Sequence, residues 1–214
     1  MYKLFMKEVR LSSHPLSFIF IIFSLLFIVP GYPVLCAPFF VTLGLFQSFQ
    51  KARENSDVLF SVLLPVPKSD TVRGKFIFVI FIELCSLLVM TGCVILRGTL
   101  LRDSMVYLSN PMMRADLTAL SLSLLMFALF NSIFLSLFFR TAYSIGIPFL
   151  LYSLSSFTVI GSGEVLSHLP IMGLFDDIWG TGQFIVLLAG VLLYSLLTLL
   201  SYRMSVKSFE MLDL

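Results

Sequence analysis

Six apolar runs decide what this chain can become: Leu16–Val29, Val34–Phe49, Phe76–Leu96, Leu117–Phe139, Ala142–Ile160 and Gln183–Tyr202. Each approaches the roughly 20 residues that an α-helix needs to cross the hydrocarbon core of a bilayer. Composition agrees, because only 12% of the 214 residues are charged, against about a quarter in a soluble domain. The expected fold is therefore all-α: a polytopic membrane protein of six transmembrane helices, one domain over residues 1–214, with no room for a separate soluble domain. The second run is short and holds Pro38 and Gln47, so a kinked or re-entrant pair is the alternative there.

Residues 1–12 place Leu4, Phe5, Val9 and Leu11 among Lys3, Lys7, Glu8 and Arg10, the mix of a helix lying in the membrane interface. His14 and Pro15 turn the chain into the first span, and Pro30, Gly31 and Pro33 end it. The apolar run after the basic N-terminus is too long for a signal peptide and lacks a small-residue cleavage site, so removal is not expected. With the N-terminus inside, the inner side collects Lys3, Lys7, Arg10, Lys51, Arg53, Lys68, Arg73, Lys75, Arg140, Arg203 and Lys207. Only Arg97, Arg102 and Arg114 fall outside, a marked positive-inside bias. Both termini are thus expected in the cytoplasm. The basic residues are spread along membrane borders, so no nucleic-acid partner is expected. Cys36, Cys85 and Cys93 sit in or beside apolar runs and suggest neither a disulfide framework nor a metal site.

The longest polar interruption, Gln50–Lys75, falls on the inner side and has helical order of its own. Ser56 is placed to cap a short helix with Asp57 in its first turn. Leu59, Val62 and Leu63 follow at helical spacing as one apolar stripe. Pro65 ends this helix and Pro67 keeps the next residues extended. Ser69 is then expected to cap the helix that enters the membrane near Phe76, with Asp70 in its first turn. The outcome is a stiff elbow over residues 50–75, suited to receiving a push from a partner.

Within the spans, Glu83 is the only deeply placed acid, about two turns above the inner border. Such a group should face the bundle and find a partner; proton coupling, contact with a cationic substrate and a protonated or hydrogen-bonded structural role are the readings open to it. Asn131 is a second candidate polar residue, beside a small-residue stripe of Ala128, Ser132 and Ser136 that lets another helix approach closely. The 23 phenylalanines suit either a core or an apolar pathway. His14 and His168 fall at opposite faces and cannot share a metal. Gly161, Ser162 and Gly163 do not complete a serine-nucleophile turn. Neither nucleotide-binding glycine motif is present. No catalytic residue and no cofactor is expected on this chain.

The run Arg53-Glu54-Asn55-Ser56-Asp57, through Leu63-Leu64-Pro65-Val66-Pro67-Lys68-Ser69 to Gly74-Lys75-Phe76, resembles the first cytoplasmic loop of small bacterial ABC-2-type permeases. There an acidic, Asn-containing stretch precedes "LLP", a basic residue, and a "K-[FY]" that opens the third span. The interfacial start and the 2+2+2 grouping of spans resemble the family over the whole chain. The resemblance implies an exporter half in a bacterial plasma membrane: two permease chains, as a homo- or heterodimer in membrane lipid, with two separate ABC ATPase subunits that hold the ATP and Mg. The loop would be the coupling helix, with Glu54, Asn55, Asp57, Leu59, Leu63, Leu64, Pro65 and Lys68 as contact or shaping residues. Peptide export, including antimicrobial peptides, is the association this likeness carries. A substrate-binding membrane subunit of an importer, or a secondary transporter, is the alternative.

Overall fold

The computed structural model describes residues 2–63, 66–101, 114–141, 144–167 and 180–212, and every regular element among them is helical. Helix α1 (Tyr2–Lys7) runs on as a π-helical turn over Glu8–Ser12. Ser13 and His14 are extended, as expected ahead of a proline, and Pro15 occupies the first turn of α2 (Pro15–Ile19). His14 Nδ1 accepts from the Leu16 amide at 3.1 Å, so an imidazole caps this helix. The segments Leu4–Arg10 and Pro15–Phe27 consequently meet at 98°. Helix α2 tightens into a 3₁₀ stretch over Phe20–Phe27.

The chain reverses through Gly31, whose φ of 91° suits a residue without a Cβ, and returns as α3 (Cys36–Glu54). Pro38 lies in the first turn of α3, where no helical hydrogen bond is lost, so the proline that suggested a kink makes none. Helices α2 and α3 form a close hairpin. Ser17 Oγ donates to the Gly44 carbonyl at 2.6 Å and meets Ser48 Oγ at 2.5 Å. A Cβ on Gly44 would stand 3.0 Å from Phe20.

Helix α4 (Asp57–Leu63) follows, then α5 (Lys68–Thr99). At 32 residues α5 is about 48 Å long, more than the bilayer core requires. Helix α6 (Leu117–Thr141) contains a π-helical turn at Phe130–Leu135. It is followed by α7 (Gly146–Ser167) and α8 (Thr181–Glu210). By length and apolarity α5, α6, α7 (its segment Gly146–Gly163) and α8 are each able to cross a membrane, and the bent α1–α2 pair adds a fifth candidate. Helix α3 ends in Lys51, Arg53 and Glu54 and is not among these candidates.

Helices α6 and α8 make the tightest junction. Gly190 faces Ser121 so closely that a Cβ would lie 2.3 Å from the serine hydroxyl oxygen. At the start of these helices Gln183 Oε1 accepts from the Leu117 amide at 3.0 Å, and Asp116 caps α6 through Ala119 N at 2.9 Å. Among the described residues, ten of the chain's 23 phenylalanines are buried in the core, Phe127, Phe130, Phe134, Phe138 and Phe139 being essentially unexposed, while others such as Phe81, Phe157 and Phe184 stand on the outer surface. Phe46 stacks on Phe149 with centroids 4.1 Å apart, joining α3 to α7.

The two ends of the described chain lie at one end of the bundle. Lys68 Nζ donates to the Leu212 carbonyl at 2.5 Å, and Phe76 meets Tyr202 edge to face. At the opposite end Arg97 Nη1 donates to the Phe27 carbonyl at 2.9 Å.

Several expectations need correction. Ser69 does not cap α5: Pro67 holds the cap position, extended and without a side-chain acceptor, and Ser69 lies inside the first turn. Residues 161–167 are helical, because α7 runs past the expected end of its span, and the Ser162 hydroxyl returns to the Val159 carbonyl at 3.0 Å. Along the small-residue stripe, Ala128 is buried and Ser136 meets Ser201 of α8 at 2.9 Å. Ala142 and His168 lie outside the described residues, as do residues 102–113 and the rest of 168–179.

Candidate functional site: a four-charge junction and the exposed helix it holds

Helix α3 ends at Asn55 and the backbone reverses at Ser56, which takes a φ of 52°. A left-handed residue here lets the next helix start at once, and the Ser56 carbonyl accepts from the Phe60 amide at 3.0 Å. Asp57 therefore occupies the first turn of α4 and points inward, only 4% exposed. Its carboxylate receives two ammonium groups, Lys7 on Oδ1 at 2.9 Å and Lys75 on Oδ2 at 2.7 Å. Glu8 completes the set, with Lys7 on Oε1 at 3.0 Å and Lys75 on Oε2 at 2.9 Å.

Four alternating charges thus close into a neutral ring that ties α1 to α4 and α5. Lys7 Nζ also donates to Ser61 Oγ at 2.5 Å, and Lys75 lies 5.8 Å from the centroid of the Phe49 ring on α3. Burial pushes the Asp57 carboxyl up, but the Lys75 ammonium, and after it Lys7, more than offset this and hold it at about 2. Buried charges persist only when paired and hydrogen-bonded, and here each of the four has at least two polar partners.

The arrangement corrects one expectation of α1. Lys7 and Glu8 do not face the water or the headgroups; they turn into the ring, Glu8 being 2% exposed. The π-helical turn beginning at Glu8 adjusts their register.

The ring leaves the other side of α4 bare. Val58 and Ser61 are buried with Asp57, while Phe60 is 52% and Leu63 84% exposed. Two apolar side chains stand outward on a seven-residue helix whose opposite side is fixed by ion pairs. Glu54 and Asn55 are exposed just before it, and Gln50 Nε2 reaches Glu54 Oε1 at 3.3 Å. Lys68 is partly buried against the C-terminal end of the chain. The side chain of Leu59 and the whole of Leu64 and Pro65 lie outside the described residues. Asp57 is thereby removed from the outward face and becomes an anchor.

The intramembrane pair comes together. Glu83 and Asn131 are both fully buried, and Asn131 Nδ2 donates to Glu83 Oε2 at 3.1 Å. Tyr194 of α8 donates to the same carboxyl oxygen at 2.7 Å, and Asn131 Nδ2 also reaches Thr198 Oγ1 at 3.2 Å. The π-helical turn of α6 presents Asn131 here, and the backbone carbonyl of Asn131 accepts from the Ser201 hydroxyl. No group of three or more metal-binding side chains occurs among the described residues.

The fold is a bundle of apolar helices long enough to cross a membrane, with one short helix clamped across its end by ion pairs. The chain belongs to the ABC-2 transporter family, whose model, described as ABC-2 family transporter protein, matches residues 3–210. It is a permease subunit of an ABC transporter, a family whose membrane subunits work with a separate ABC ATPase. No curated protein and no solved structure is significantly similar to it.

Proposed function

We propose that this permease is the membrane half of an exporter, and that α4 is the coupling helix seated in a cleft of the partner ATPase. The observation that carries this reading is the exposure of Phe60 and Leu63 on a helix whose other side is locked to α1 and α5. A surface held so rigidly by buried ion pairs transmits displacement instead of absorbing it. Closure of the ATPases would move α4, α1 and the foot of α5 as one body, by a rigid-body shift of the kind seen in switching proteins. The substrate would be amphipathic or apolar, in keeping with helices α5 to α8, within which Glu83 is the one fully buried acid among the described residues. A second permease chain would complete the pathway, in a cell membrane with α4 on the cytoplasmic side.

The test is the variant Phe60→Asp with Leu63→Asp, purified with the ABC ATPase that accompanies the wild-type chain and reconstituted in liposomes. Membrane insertion and thermal stability should match wild type, because neither side chain is buried, while stimulated ATP hydrolysis and transport fall at least about tenfold, as for loss of two apolar anchors. Wild-type stimulation by the double variant would remove the docking role.

A further inference from the structure

Glu83 and Asn131 meet with one hydrogen bond made and one missing. Asn131 Nδ2 donates a hydrogen bond to Glu83 Oε2, while Glu83 Oε1 and Asn131 Oδ1 are both buried without a donor. Two acceptor oxygens belonging to groups already joined on their other side face the same deficiency. A carboxylate leaves both unsatisfied, and in a dry interior each such atom is expensive. A carboxylic acid resolves both, since a primary amide and a carboxylic acid are complementary: N–H to C=O on one edge, O–H to C=O on the other. Tyr194 donates to Oε2, the oxygen that is then the carbonyl.

No ammonium or guanidinium takes the place of that proton. Among the described residues, no Lys, Arg or His lies within ion-pair distance of Glu83; the ion pairs found lie elsewhere. On its own helix Lys75 is eight residues before it and Arg97 fourteen after, about 12 and about 21 Å along the axis, and both have their own partners. The titratable groups facing it from neighbouring helices are Tyr194 of α8 and Tyr152 of α7, phenols that are neutral near pH 7. Helix α6 contributes Asn131, which does not titrate.

We propose that Glu83 binds a proton, and that the protonated Glu83–Asn131 pair is a pin joining α5 to α6 and α8 in the middle of the membrane. Its removal by base leaves an unpaired buried charge and loosens the three-helix junction. The pin therefore makes permease packing sensitive to pH, independently of whether α4 docks an ATPase. Because the folded protein holds at neutral pH a proton that the unfolded chain releases, stability falls as pH rises.

The test uses the full chain in nanodiscs. Between about pH 6 and about pH 9 the wild-type unfolding temperature should fall by about 5 °C, a shift on the scale of one lost buried interaction. Glu83→Gln, whose amide supplies both the donor and the acceptor of the acid, should remove that slope and hold near the wild-type value at the lower pH. Infrared difference spectra of wild type minus Glu83→Gln at neutral pH should show the carbonyl stretch of a protonated carboxylic acid. A wild-type unfolding temperature that is flat across this range overturns the proposal without reference to any variant. So does a carboxylate band where the acid band is expected.

Discussion

Lys75 sits where a solvated lysine is the ordinary expectation, at the border of a polar stretch and an apolar run. In the folded chain it is 2% exposed and bears on two carboxylates. Lys75→Ala should therefore cost about 3–5 kcal/mol, because Glu8 and Asp57 are left facing each other with only Lys7 between them; chemical unfolding in detergent measures it. Asp57→Asn gives the corresponding acid test. A carboxyl held at about 2 contributes stability that is complete above the unfolded value near 3.9 and is lost as pH falls through about 2. The stability difference between wild type and Asp57→Asn should accordingly stay constant down to about pH 4 and shrink only below it, which pH-jump unfolding resolves. A constant difference that persisted to about pH 2 would show that the ring does not depend on that charge.

At the level of helices, α6 and α8 are held closer than their leucines alone would allow because position 190 has no side chain. Gly190→Ala forces a Cβ to within 3.1 Å of the Ser121 backbone as well as onto its hydroxyl, so trimming Ser121 cannot relieve it. The expected cost is about 1–3 kcal/mol, read as a lower unfolding temperature in both the single variant and Gly190→Ala with Ser121→Ala. Elements of this kind mark what was legible beforehand. The apolar runs, the short helix at Asp57, the extended Pro67 and the inward-facing Glu83 all follow from local spacing and from the cost of exposing polar groups to lipid. What was not legible is partnership across the chain. Glu8 and Lys75 are 67 positions apart and Glu83 and Tyr194 are 111 apart, and no local period relates them. The same holds for Gln183, whose amide braces the start of α6 from the start of α8. Ser69 was misread because Pro67, already extended with its carbonyl free to accept, took the cap position first.

Across the whole molecule, α1, α4, the foot of α5 and the tail of α8 gather at one end, and the loop between α2 and α3 at the other. Exposed leucines such as Leu188, Leu192, Leu196 and Leu199 run along α8, and Ile147, Leu150 and Leu154 along α7, as suits surfaces set in hydrocarbon. If α4 lies on the cytoplasmic side, as proposed, a membrane-impermeant maleimide added to intact cells should label Thr181→Cys and leave Leu63→Cys untouched, in a background where Cys36, Cys85 and Cys93 are replaced. Labelling of Leu63→Cys from outside would reverse the orientation. Helix α5 gives this arrangement its mechanics. It is unbroken from Lys68 to Thr99, and Glu83, fifteen residues from its start, sits near its midpoint. An uninterrupted rod bonded at its centre behaves as a seesaw: a tilt of about 5° carries each end about 2 Å in opposite directions while the bonds at the fulcrum merely twist. A displacement of Lys75 at one end of such a rod would be felt at the other, where Arg97 holds the Phe27 carbonyl.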